Sequence, residues 1–206
     1  MVLAYAVIFW VLVALLLRRD LSAIGRYPYR GGWKLVALLG CLFVLQAVLV
    51  LYAPGRSPLQ MGVVMLPQLA LMLLVVLNAH LPGAKLFVLG VFLNMSVMAA
   101  NGGWMPITPE TYQCIHPDRV VEVAARAPNS KGITLARSET ELWALSDVIC
   151  VSLPWFRTAM SIGDVLLVLA SARFVFKASS RRGDLVAPQP SSSGGPRWLA
   201  QLLRLG

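Results

Sequence analysis

Asn94-Met95-Ser96-Val97-Met98-Ala99-Ala100-Asn101-Gly102-Gly103-Trp104-Met105-Pro106-Ile107 is the stretch on which the reading of this chain turns. A strongly apolar run stops on an asparagine, two glycines, an aromatic residue and a proline, the residue types that end helices. Before it the chain is dominated by apolar runs. After it come one sizeable polar segment, 101–160, and a last apolar run.

Outward from that stretch, five apolar runs stand at 2–17, 35–52, 61–77, 86–100 and 162–176. They lie at or just below the roughly 17 to 25 residues that cross a hydrocarbon core. Of the 206 residues 58% are apolar and only 13% charged, with a mean hydropathy of +0.72. Soluble domains carry roughly 25% charge, so the bilayer is the expected solvent. The expected fold is all-α, a polytopic bundle of about five spans, with six as the rival count. The semi-apolar piece 142–156 decides between them. It contains Asp147 and Pro154, and is read as an interfacial helix on the outer side.

Charge placement sets the expected topology. The first loop holds Arg18, Arg19, Arg26, Arg30 and Lys34 against Asp20, a net of +4. The long segment holds five bases against six acids, a net of −1. Bases return after the last run at Lys177, Arg181, Arg182, Arg197 and Arg204. The positive-inside rule then puts the amino terminus outside and the carboxyl terminus in the cytoplasm, in a multi-pass cell-membrane protein. The first run has no base ahead of it, which suits an uncleaved anchor. The net charge of +9 is assigned to lipid head groups and topology, and nucleic acid is not an expected partner. Residues 1–177 form the expected bundle, 178–196 a disordered linker rich in Ser, Pro and Gly, and 197–206 a short amphipathic interfacial helix.

Four polar residues interrupt the apolar runs: Gln46, Gln68, Asn94 and Asp164. At about 1.5 Å of rise per residue, the first three fall at similar depths below the outer face. Asp164 begins its run near that face. Together with Asn101 and Asp147 they form a candidate outward-facing polar pocket. The alternative is structural, with Gln and Asn bonding helix to helix and Asp164 capping the helix that starts at Ser161.

Cys114 and Cys150 both fall in the outer segment, where a disulfide persists. Their pairing would close a loop worth roughly 3 to 4 kcal/mol, with two free thiols as the alternative. Cys41 lies within a run as a packing residue. His80 and His116 belong to opposite sides, so no metal site is expected, and no cofactor motif is present. Catalytic patterns are absent as well.

Several blocks resemble a family of bacterial membrane proteins of unknown function. They are Arg30-Gly31-Gly32-Trp33, Asn78 with Pro82-Gly83, Asn94, Asn101-Gly102-Gly103-Trp104-Met105-Pro106, Asn129-Ser130-Lys131, Leu142-Trp143 with Asp147, and Ser161-Ile162-Gly163-Asp164. The likeness spans about residues 1–177 and implies a membrane location with no assigned activity. Two functions remain open. One is an accessory or scaffolding subunit that docks a membrane-protein partner through 101–160. The other is a binding protein or permease for a small solute, ion or lipid cofactor, using the polar pocket.

Overall fold

A computed structural model describes residues 2–26, 28–53, 57–126 and 130–181. The tail helix expected at 197–206, and the linker beyond Arg181, lie outside the described residues. In chain order the elements are α1 (Val2–Leu16), β1 (Arg19–Asp20), a 3-10 helix (Leu21–Arg26), α2 (Gly32–Tyr52), α3 (Pro58–Leu77) and α4 (Ala84–Ala100). Then come β2 (Met105–Ile107), α5 (Pro109–Ile115), β3 (Gly132–Thr134), two 3-10 turns (Arg137–Glu139 and Trp143–Leu145), β4 (Ile149–Leu153), β5 (Phe156–Met160), α6 (Ile162–Ala178) and β6 (Ser180–Arg181).

All five apolar runs are helical. By length and composition, α2 and α3 are long and apolar enough to cross a membrane, and α1, α4 and α6 are shorter. Side chains such as Leu38, Val44, Leu66 and Leu73 stay exposed along α2 and α3. So large an apolar surface suits a nonaqueous neighbour.

Helix starts follow from local chemistry. Ser57 caps α3 by accepting from the Gln60 N–H, the Gln60 side chain accepts from the Ser57 N–H, and Pro58 fills the first turn. Ser161 and Asp164 form the same reciprocal box at the start of α6. The end of α4 is fixed by Gly102 and Gly103, both at positive φ, with the Gly103 N–H donating to Met98 O. Such a left-handed exit satisfies carbonyls that the last turn would leave free.

Packing runs laterally in the order α1, α6, α4, α3, α2. The tightest approach is between α4 and α6. A Cβ on Gly90 would come within 2.7 Å of Gly163 O, and one on Gly163 would meet Gly90 O and the Asn94 side chain. Small residues here let two backbones touch, a common device between membrane helices. At the other end of α6, the Arg19 guanidinium donates to Ser179 Oγ, Ser179 O and Phe176 O, while β1 pairs with β6. A cation there satisfies carbonyls at the negative end of the helix dipole.

The segment 101–160 departs from an all-α fold. Strands β2 and β3 pair in parallel, and β4 and β5 form an antiparallel hairpin. The interfacial helix expected at 142–156 is not formed. In its place stand a 3-10 turn and the first part of the hairpin, β4 and its turn into β5. Pro154-Trp155 makes the turn, and Val151, Ile149 and Thr158 favour extended backbone over helix. Cys114 and Cys150 are joined by a disulfide that ties α5 to β4.

Gly163→Ala is expected to destabilise the protein by about 1–3 kcal/mol through overpacking of the α4–α6 contact. Thermal unfolding in detergent measures it, and the same substitution at Gly62, which has open space around it, is the matched control.

Candidate functional site

The C-terminal half of α4 and the first turn of α6 hold an interlocked polar group. Asn94 Nδ2 donates to Asp164 Oδ1 at 3.0 Å, and Ser161 Oγ donates to Asn94 Oδ1 at 2.8 Å. The Asp164 N–H donates to Ser161 Oγ at 3.0 Å, and Asp164 Oδ2 accepts from the Ser161 N–H at 3.4 Å. Asp164 thus caps its own helix and bonds to the neighbouring one with both oxygens engaged.

Strand β2 carries the other half of the site. The Met105 N–H donates to Lys131 O on one side of the strand, and the Asp147 N–H donates to Pro106 O on the other, both at 3.0 Å. The sequence places Lys131 in a polar segment where it looks like an ordinary surface charge. Only its block of resemblance set it apart.

Asp147 is the exceptional member. Its Oδ1 is buried and has no hydrogen-bond partner among the described residues. Burial, with the Asp164 carboxylate adding to it and Lys131 opposing, pushes its pKa from 3.8 up to about 7. Burial also lowers the pKa of Lys131, against the pull of Asp164 and Asp147. A carboxyl poised near neutral pH with an open acceptor is a group that takes up a proton or a hydrogen-bond donor.

The remaining candidates do not join this group. Asn101 Nδ2 donates to Val97 O and Glu141 O, and its Oδ1 accepts from the Glu141 N–H, which staples the segment after α4 to the end of that helix. Gln68 Nε2 donates to Val64 O and Met98 Sδ. Gln46 is buried on α2 with its Oε1 unpartnered among the described residues, and α2 packs on α3. Equal depth does not bring it to α6, because two helices intervene.

A family profile described as a family of unknown function, DUF5317, matches residues 33–176. This chain belongs to that family. A relative among curated proteins, an uncharacterised protein of Thermotoga maritima, is 31% identical over 162 residues, covering 77% of this chain and 83% of the relative. No solved structure matches. The DUF5317 match takes in Asn94, Lys131, Asp147, Ser161 and Asp164, so the whole polar group lies within the family's region.

Two outcomes follow from this geometry. Folded Asp147 keeps a proton that the unfolded chain releases near pH 4, so stability falls as pH rises from about 4 to about 7. Asp147→Asn should flatten that slope and leave the variant more stable than the parent at pH 8 by on the order of 1 kcal/mol. Melting curves across pH test it. Cys114→Ser, or reduction, should cost about 3–4 kcal/mol, read from the same melts with and without reductant.

Proposed function

We propose that this DUF5317 member is a multi-pass membrane protein whose outer face binds a small monocation, inorganic or alkylammonium, between Asp147 and Asp164. The carrying observation is the buried, unpartnered Asp147 Oδ1. With Asp147, Asp164 and Lys131 all ionised the group carries a net −1, which one positive charge with hydrogen-bond donors would balance. Protonation of Asp147 would compete with the ligand, so binding weakens as pH falls below about 7.

In this reading all five apolar helices cross the bilayer, with the amino terminus outside and the carboxyl terminus in the cytoplasm. The supports are the exposed apolar faces of α2 and α3, the helical state of the three shorter runs and the basic first loop. The shorter helices would be accommodated by snorkelling of flanking residues and local thinning of the bilayer.

A second reading, an accessory subunit that docks a membrane-protein partner through 101–160, is favoured by apolar side chains left open on that segment. Val120 and Trp155 are 85% and 84% exposed. A stoichiometric protein partner in a gentle-detergent purification would support it.

Cation titration of the purified protein at pH 8 tests the first reading. At about 100 times its Kd, a bound cation should add about 2.7 kcal/mol to stability. Asp164→Asn and Asp147→Asn should each abolish that gain. A gain that persists unchanged in both variants sinks the proposal.

A further inference from the structure

Away from the polar group, α1 packs on α6 and α3 packs on α4, which leaves a groove between α1 and α3 with α4 and α6 as its floor. Its volume is about 230 Å³, and Leu3, Val7, Leu74, Phe87, Ala170 and Phe174 are among its walls. That exceeds the roughly 150 Å³ of an apolar cavity able to hold benzene.

Two polar side chains at the groove, those of Asn78 and Ser171, are turned to the protein's own backbone. Asn78 accepts from the Arg30 N–H at 2.8 Å and donates to Arg30 O and Leu74 O, each at 2.9 Å. Ser171 Oγ donates to Val168 O. The surface offered to an occupant is therefore hydrocarbon, and an apolar chain fits it without an unmet hydrogen bond.

Charge at the groove has one sign. Arg30, Lys85 and Arg173 are exposed and adjoin the wall residues Tyr29, Ala84 and Phe174 in sequence. None of the wall residues or their immediate chain neighbours is acidic. A hydrocarbon slot whose wall residues have only positively charged chain neighbours matches a lipid with an anionic head group.

We infer that the α1–α3 groove is a binding site for an anionic phospholipid, its acyl chain against Val7, Leu74 and Phe174 and its head group held by Arg30, Lys85 and Arg173. The Asn78 clamp fixes the backbone of Arg30, next in the chain to the wall residue Tyr29. The site rests on the membrane reading above but shares no residue with the cation site.

The test is native mass spectrometry of the full chain released from vesicles of equal phosphatidylglycerol and phosphatidylcholine. Phosphatidylglycerol should remain bound at least about tenfold more often than phosphatidylcholine, by on the order of 1.4 kcal/mol. The double variant Arg30→Gln with Lys85→Gln should lose that preference, Val7→Trp should displace the lipid, and Asp164→Asn should retain it. Equal retention of the two lipids, or retention of a neutral quinone in their place, overturns the proposal. Photolabelling of the unmodified protein with a diazirine-bearing phosphatidylglycerol chain guards against misfolding of the variants. Label concentrated on α1 and α3 supports the site, and label spread over the exposed face of α2 overturns it.

Discussion

The turn at Gly103-Trp104 is the constraint on which the strand-bearing half depends. A Cβ on Gly103 would collide with Met61 Cγ and Cβ, so only glycine lets the chain leave α4 against the first turn of α3. Trp104, 1% exposed, then fills the space among Val50, Val64, Val97, Met105 and Ile133. Burial of an indole of that size is one of the larger apolar contributions available to a small domain. The Arg126 guanidinium lies 5.1 Å from the Trp104 ring centroid and donates to Val50 O and Ala53 O at the end of α2. One aromatic ring and one cation therefore join the ends of α2, α3 and α4 to the strands above them.

That junction determines where β2 starts, and β2 in turn places Lys131 and Asp147. Residues on the two flanks of a three-residue strand have little freedom to drift, because each is held by a backbone hydrogen bond. The α4–α6 contact sets the other half. Gly90 and Gly163 allow an approach close enough for Asn94 to reach both Ser161 and Asp164. A larger side chain at either glycine would separate the helices and the polar group with them. The placement of the site is thus a consequence of packing at residues that carry no charge.

Much of this was legible in the sequence, for identifiable reasons. The five helices follow from long apolar runs ended by Asn101-Gly102-Gly103 and Pro82-Gly83, and the capping of α6 follows from Ser161 and Asp164. Hydropathy reports depth and says nothing of lateral order. Gln46, Gln68 and Asn94 are expected at similar depths, yet the packing order puts α2 on the far side of α3 and α4 from α6. The hairpin of β4 and β5 was hidden because a short apolar stretch fits helix or strand equally by composition. Lys131 was hidden because its position is set by parallel pairing across 27 residues, Met105 with Gly132, which leaves no local signature.

The isolation of Asp147 is difficult to relieve by small movements of the chain. Its N–H is bound to Pro106 O, its backbone bridges to Ile107, and the preceding Ser146 is fully buried. Three residues on, Cys150 is fixed to α5 by the disulfide. With the backbone held on both sides, the half-buried residue keeps its Oδ1 out of water unless the side chain itself turns. The charge can instead be lost by taking up a proton, or be compensated by a donor entering the site. The raised pKa is the first of these responses. A rigid cap of this kind keeps a carboxyl responsive near neutral pH, whereas a flexible loop would let it relax to an ordinary surface acid.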